Sequence, residues 1–491
     1  MNQIKDMEKD FLQLLKEQSF YQEAINLSQW DARTKLPAKG AGKRAEVAGF
    51  LSEKLHLLQT SDRMKYFIDM LKEKTNDAVI LKSIGVCEDT YERNKKIPHE
   101  EMKEYVTLQS KSEAIWQEAR EKSDFSLFQP YLEKLVHFNK KFAAYWGYEE
   151  HIYDALLHDF EPGVTVKVLD SVFPKLKDAL TSLLEKMEQS HSDTNPLIHH
   201  FPKENQRAFS LEILKKMGYD FGAGRLDETI HPFAIGINKN DVRITTRYDE
   251  NDFRMAVFGT IHEGGHALYE QNLSDILSHT PLSEGTSMGI HESQSLFWEI
   301  FVGRSKAFWK ANYNLFQSHA PAYFREIPLD NFYGALNEVK PSFIRIEADE
   351  LTYSLHIMLR YELEKALLNG EIHVKDLPEL WNEKMRDYLG VVPASDKDGV
   401  LQDIHWAGGD FGYFPSYSLG YMYAAQFENT MKKQFDLNEV ILSGDYRPIT
   451  NWLKENIHQY GKMKKPLEIL QDVTGEGLNP DYLIRHFQKK F

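Results

Sequence analysis

The residues with the clearest capacity for chemistry are His262-Glu263-Gly264-Gly265-His266. On a helix, positions i and i+4 lie one above the other, so both imidazoles project to one side and can share a zinc ion. Glu263 lies about 100° around the helix from His262, beside that ion and not on it. From there a carboxylate can take a proton from a water activated at the metal and return it to a leaving amine. Val257, Phe258, Ile261 and Leu268 surround the motif with apolar side chains, which puts it on a largely buried helix. Two adjacent glycines inside a helix cost about 1 kcal/mol each relative to alanine. A close approach of substrate or of a neighbouring backbone would explain them. The competing reading makes both histidines satisfied core residues.

A zinc hydrolase needs a third protein ligand and an open fourth position. Glu292, in Gly289-Ile290-His291-Glu292-Ser293-Gln294, begins another helical run far enough downstream of His262 for a loop to return its carboxylate to the metal. Glu299 and Glu270 compete on spacing alone, and a lone Glu at a helix start often serves only the helix dipole. Arg345 stands between Ile344 and Ile346, with Glu347 and Asp349 nearby. It is either a paired structural cation or, if unpaired in a cleft, a bidentate carboxylate receptor. Further on, GVLQDIHW (399–406) leads into Ala407-Gly408-Gly409-Asp410-Phe411-Gly412, followed by Tyr413, Tyr417, Tyr421 and Tyr423. Asp403 and Asp410 are the only charges between 401 and 427, so core packing is the default for any one tyrosine there. A glycine-rich loop with phenols could also hover over a metal site and stabilise an oxyanion.

Helical periodicity dominates the elements that must position these groups. Amphipathic patterns run through 3–28, 46–75, 100–122, 127–145, 166–189, 205–217, 252–273, 291–312, 329–338, 347–369, 376–389 and 448–457. Pro98, Pro130, Pro162, Pro174, Pro202, Pro281 and Pro341 fall where helix boundaries are expected. One segment breaks the pattern. HPFAIGI (231–237) and DVRITTRY (241–248) read as a hairpin turning at Asn238-Lys239-Asn240, with Arg243 and Thr245 alternating on its second strand. The edge of so small a sheet can pair with an extended peptide, or the hairpin can simply pack on a helix.

The absence of a fixed-period repeat or low-complexity linker favours one helical domain over 1–491. With 59 basic and 74 acidic residues the net charge is −15, which argues against a nucleic-acid partner. A single cysteine, Cys87, excludes an intrachain disulfide and a Cys-based zinc knuckle and suggests a reducing compartment. No run matches a secretory signal or a membrane span, so the chain reads as cytoplasmic and soluble with no membrane partner. Gly40-Ala41-Gly42-Lys43 lacks the spacing and the Ser/Thr of a phosphate-binding loop.

In order, HPF (231–233), DVRIT (241–245), HEGGH (262–266), HESQ (291–294), IRIEAD (344–349) and GVLQDIHW (399–406) resemble the M32 family of zinc metallocarboxypeptidases, also called thermostable carboxypeptidases or carboxypeptidase Taq. QWDARTKLP (29–37) and Arg44 resemble the family's N-terminal segment, so the resemblance spans the chain. It implies a mainly α fold like that of neurolysin and angiotensin-converting enzyme, with a deep central groove and a very small antiparallel sheet, and it implies a homodimer. By residue it implies zinc ligands at His262, His266 and Glu292, with cobalt or manganese as substitutes, and a catalytic carboxylate at Glu263. It places Arg345 at the substrate's C-terminal end, where it limits substrate length.

The run from His405 to Gly409, followed by Tyr413 and Tyr417, is also similar to thimet-type oligopeptidases. There such a segment binds the substrate and its tetrahedral intermediate. The expectation is a zinc carboxypeptidase of broad specificity for peptides with a free C-terminus. Glu263 is its base, His405 and Tyr417 or Tyr413 stabilise the oxyanion, and His231, Arg243 and Arg345 touch substrate. Strand 241–248 is expected to hold the peptide backbone, and Arg345 or Arg243 to receive the free carboxylate. The nearest rival is an endo-acting oligopeptidase with the same zinc site; a helical scaffold with structural zinc is a rival of another class.

Overall fold

The amphipathic runs become helices close to where the periodicity puts them. In a computed structural model, which describes residues 2–187 and 195–491, the chain opens with α1 (Asn2–Thr34). The functional motifs sit on α2 (Phe253–Gln271), α3 (Met288–Leu296), α4 (Tyr353–Asn369) and α5 (Pro415–Met431). Caps fix two of these starts. The Asp252 side chain accepts from the Arg254 amide at α2, and Ser287 accepts from the Ile290 amide at α3. Among the described residues, no helix is long and apolar enough to cross a membrane.

Three expectations about helices change. The run 46–75 breaks at Ser61, whose hydroxyl caps the second half, giving Ala41–Gln59 and Asp62–Leu71. The run 291–312 is α3, then a π-helical turn over Phe297–Gly303, then a helix over Lys306–His319 capped by Ser305. Pro130 and Pro174 lie inside helices Phe125–Trp146 and Val166–Lys186. Each ring removes one backbone bond, but the buried faces around them (Phe128, Leu132 and Leu135; Val172, Phe173 and Leu176) hold the helices together. Of the expected stretch 166–189, positions 188 and 189 lie outside the described residues. After the glycine-rich loop, Tyr413 precedes α5 while Tyr417, Tyr421 and Tyr423 lie on it, with Pro415 in its first turn.

The hairpin forms as β2 (Ala234–Asn238) against β3 (Asp241–Thr246), with Ile235 opposite Arg243 and Gly236 opposite Val242. A strand not expected from the sequence, β1 (Gly224–Glu228), pairs in parallel on the other side of β3, so the small sheet is mixed and its order is β1-β3-β2. β3 is therefore central. Both its hydrogen-bonding edges are taken, which overturns the expectation that 241–248 holds a peptide. The outer edges belong to β1 and β2, and at β2 Asn26 of α1 donates to the Gly236 carbonyl at 2.9 Å.

The main core wraps α2, α3 and α5. A satellite core of Phe11, Leu14, Met64, Phe67, Ile80 and Ile84 joins α1 to helices Asp62–Leu71 and Ala78–Lys96. Between these two masses lies a cavity of about 1400 Å³, lined by α1, β2 and the 283–288 segment ahead of α3.

Helices α2, α3 and α5 meet at glycines. A Cβ on Gly265 would stand 2.5 Å from the Gln294 carbonyl oxygen, and one on Gly420 would stand 2.8 Å from Glu292 Cβ. The neighbouring backbone is thus what the second glycine of the HEGGH motif accommodates. Gly265→Ala should cost about 1–3 kcal/mol through overpacking. Gly42→Ala, on an exposed helix with nothing within 4 Å of the added carbon, should gain about 0.5–1 kcal/mol. Urea midpoints of the two variants check both signs.

Candidate active site

α2 and α3 bring together the three groups expected to hold a metal. Nε2 of His262 and Nε2 of His266 lie 3.7 and 3.4 Å from Glu292 Oε2, and the ligand atoms all fall within 4.8 Å of one another. Tetrahedral coordination with bonds of about 2.0 Å asks for ligand atoms about 3.3 Å apart, so the donor set fits a zinc-sized ion with little movement.

The outer faces of both imidazoles are held. His262 Nδ1 lies 3.0 Å from Glu299 Oε2, and Arg304 Nη2 donates to Glu299 Oε1 at 3.1 Å. His266 Nδ1 lies 2.6 Å from His291 Nδ1, whose Nε2 is 2.8 Å from Glu270 Oε1. With His266 Nε2 reserved for an ion, Nδ1–H donates to His291, and His291 Nε2–H donates to Glu270. That assignment follows from the donor chain. Glu299 and Glu270, which rival Glu292 on spacing, orient the histidines instead. The π-helical turn is what carries Glu299 back to His262 after α3 has delivered Glu292.

The charges favour a cation. Burial disfavours a proton on His262, but the facing Glu292 and Glu299 carboxylates outweigh it and raise its pKa to about 10. Burial dominates at His266, whose pKa falls to about 4. Burial would raise Glu292, yet His262 and His266 pull it down to about 2. Glu263 is buried one residue past His262, and burial pushes its carboxyl up to about 7. Two imidazoles among the carboxylates of Glu263, Glu292 and Glu299 make a pocket whose charge a divalent ion balances. Nitrogen and oxygen donors of this kind suit zinc, cobalt or manganese.

The start of α3 is fixed from outside the metal pocket. The Gly289 amide donates to the buried Glu161 carboxyl and the Met288 amide to the Phe160 carbonyl, with Ser287, Ser416 and Tyr423 also around Glu161. A side chain at Gly289 would collide with Glu161 at 2.5 Å. Burial raises the Glu161 pKa to about 8.

A second constellation forms where the Arg345 turn meets the start of α5. Arg345 is buried and donates to Asp403 Oδ1 at 3.0 and 2.8 Å and to the Tyr353 hydroxyl at 3.1 Å. Arg360 of α4 donates to the other oxygen of Asp403 at 2.7 Å. Two guanidiniums on one carboxylate leave a net positive charge. Next to them, His405 Nε2 lies 3.4 Å from the Tyr417 hydroxyl, and the Tyr413 and Tyr417 rings are 5.3 Å apart. Burial lowers the His405 pKa to about 4, with Arg345 and Arg360 adding to it against Asp403, so the ring is neutral.

The remaining expected residues lie elsewhere. Arg243 is engaged by Asp241, two residues earlier on the same strand face, through two bonds of 2.7 Å, and it stacks 4.5 Å from the Trp30 ring centre. His231 is exposed just before β2. The large cavity touches Glu270 and His291 rather than His262, His266 or Glu292. Sequence reasoning missed His291 and Arg360 as partners. The histidine is adjacent to Glu292 within one motif and could have been suspected, whereas Arg360 has no local signal.

A family model described as carboxypeptidase Taq (M32) metallopeptidase matches residues 10–491. Carboxypeptidase 1 of Bacillus subtilis (strain 168) is 56% identical over 100% of this chain and 99% of its own length. Thermostable carboxypeptidase 1 of Thermus thermophilus is 40% identical, covering 98% of each chain. The crystal structure of an M32 carboxypeptidase from Deinococcus radiodurans R1 superposes with a TM-score of 0.95 at 33% identity, covering 99% of this chain and 98% of that one.

Two outcomes follow from the geometry. His291→Ala and Glu299→Ala should each weaken metal binding about 10- to 100-fold, read by competition with a chelator, and binding should tighten as pH rises because the histidines must be neutral. Glu161 binds its proton more tightly in the folded state. Its contribution to stability is therefore complete below the ordinary carboxyl range and is lost as the pH climbs towards about 8. Glu161→Gln should flatten that decline in urea midpoints measured across the same window.

Proposed function

Because the chain belongs to the carboxypeptidase Taq (M32) metallopeptidase family and is a metallocarboxypeptidase, we propose that it is a zinc enzyme of broad specificity that removes C-terminal residues from peptides, with Glu263 as the base. One observation carries this reading: His262, His266 and Glu292 converge within 4.8 Å beside the buried carboxyl of Glu263.

His262, His266 and Glu292 would hold a divalent cation, which would supply Lewis acidity for the scissile carbonyl and for a water that must lose a proton near neutrality. Glu263, with its pKa raised by burial, accepts that proton and delivers it to the leaving nitrogen. The neutral His405 ring orients the Tyr417 hydroxyl, and Tyr417 or its neighbour Tyr413 donates to the developing oxyanion. Arg345 and Arg360 are both paired with Asp403, and the net positive charge that this leaves draws the substrate's free carboxylate to the side of Tyr417, whose ring centre lies 4.9 Å from Arg345. The rest of the peptide follows the β2 edge through the large cavity, past His231, while Arg243 keeps the sheet in place. The enzyme is read as a cytoplasmic homodimer of single-domain subunits over 1–491, on its resemblance to the family and on the buried thiol Cys87.

Mass spectrometry of one short peptide tests the assignment. The free acid should lose C-terminal residues stepwise, the amide should resist, and a chelator should stop the reaction until zinc or cobalt is restored. Internal cleavage of both forms would make the protein an endopeptidase. Glu263→Gln should keep the metal and lower kcat by about 10²- to 10⁴-fold.

A further inference from the structure

Trp406 and Gly412 flank the catalytic loop and have no task in the hydrolysis, yet both donate to one buried carboxylate. Glu364 of α4 is fully buried. Trp406 Nε1 donates to its Oε1 at 2.7 Å, and the Gly412 amide and the Tyr153 hydroxyl donate to its Oε2 at 3.1 and 2.7 Å. Trp406 directly follows His405, and Gly412 directly precedes Tyr413. A single side chain therefore ties both ends of the segment that presents His405 and Tyr413.

The segment's own backbone bonds are short turns, such as the Asp410 amide to the His405 carbonyl at 2.9 Å, and none spans from Trp406 to Gly412. His405–Gly408 is one helical turn, and the chain then bends through left-handed backbone at Gly409 (φ 75°) and Gly412 (φ 96°). Gly412 lies so close to Leu156 and Leu157 that a Cβ would stand 3.0 Å from their backbone. From the other side, Gln109 donates to the Gly408 carbonyl at 2.6 Å.

We propose that Glu364 is a positioning residue for peptide hydrolysis, its carboxylate clamping Trp406 and Gly412 so that His405 and Tyr413 keep their places over the site. Two carboxylate oxygens match three converging donors. A glutamine there has one acceptor oxygen and turns an NH2 towards an N–H or O–H, so the isosteric change is not conservative. The inference rests on the carboxypeptidase reading above.

The test uses the metal-loaded full-length protein and a blocked free-acid dipeptide, with the parent measured first. Glu364→Gln should bind metal as the parent does and lose about tenfold to a hundredfold in kcat with KM within about twofold. Trp406→Phe, which removes one donor, should lose kcat in the same direction by less. Introduced into His405→Ala, Glu364→Gln should cost clearly less than it does in the parent, because the part of its effect that runs through His405 is already lost while the part through Tyr413 remains. Parental kcat in Glu364→Gln, or an equal cost in both backgrounds, overturns the proposal. If Glu364→Gln fails to fold, parental kcat in Trp406→Phe overturns it equally. A parent inactive on the free acid removes the carboxypeptidase reading, and the inference with it, while leaving the two failures distinguishable.

Discussion

Glu292 lies where two helices press on its own. α2 reaches α3 through the bare backbone of Gly265, and α5 reaches it through Gly420, whose missing side chain leaves room for Glu292 itself. Every other feature of the metal pocket depends on this approach. It sets Glu292 opposite His262 and His266 and places Tyr417, one turn before Gly420, on the same side. The helix-destabilising cost of glycine is offset by packing that only glycine permits, and a methyl group at either position would push a ligand or an oxyanion donor out of place.

Around that contact, most buried charges are answered by another charge or by a set of donors. Glu299 is held by Arg304, Asp403 by two arginines, Glu270 by His291, and Glu161 and Glu364 by backbone and hydroxyl or indole donors. Removing one partner from such a pair leaves an uncompensated charge in a place of low polarity, which is why these groups can fix the catalytic side chains as rigidly as packing does. The partners come from distant parts of the chain: α4 supplies Arg360 and Glu364, while residues 160–161 cap α3.

The small sheet shows where local pattern and tertiary contact part company. The hairpin of β2 and β3 was legible because β-branched residues alternate on either side of a polar turn. β1 was not. Gly224-Arg225-Leu226-Asp227-Glu228 has the composition of a loop, and it becomes a strand because Val242–Thr246 offers it a free edge. That added strand takes β3's free edge and leaves β1 and β2 as the sheet's outer strands, and so changes which backbone can meet a peptide. Pro130 and Pro174 misled in the opposite direction, since local propensity marked boundaries that buried faces overrode.

By itself the sequence determined the chemistry of the site: two histidines one helical turn apart, a glutamate between them, and the motif that supplies Glu292. Those are short-range facts, set by helical spacing and by the few residue types that can ligate a metal or move a proton. Only the tertiary structure decided which of Glu270, Glu292 and Glu299 converges with His262 and His266, that Arg243 is tied to its own strand, and that Glu364 bonds to both ends of the loop of His405 and Tyr413. These follow from contacts between residues tens to hundreds of positions apart, where spacing along the chain carries no information about distance in space.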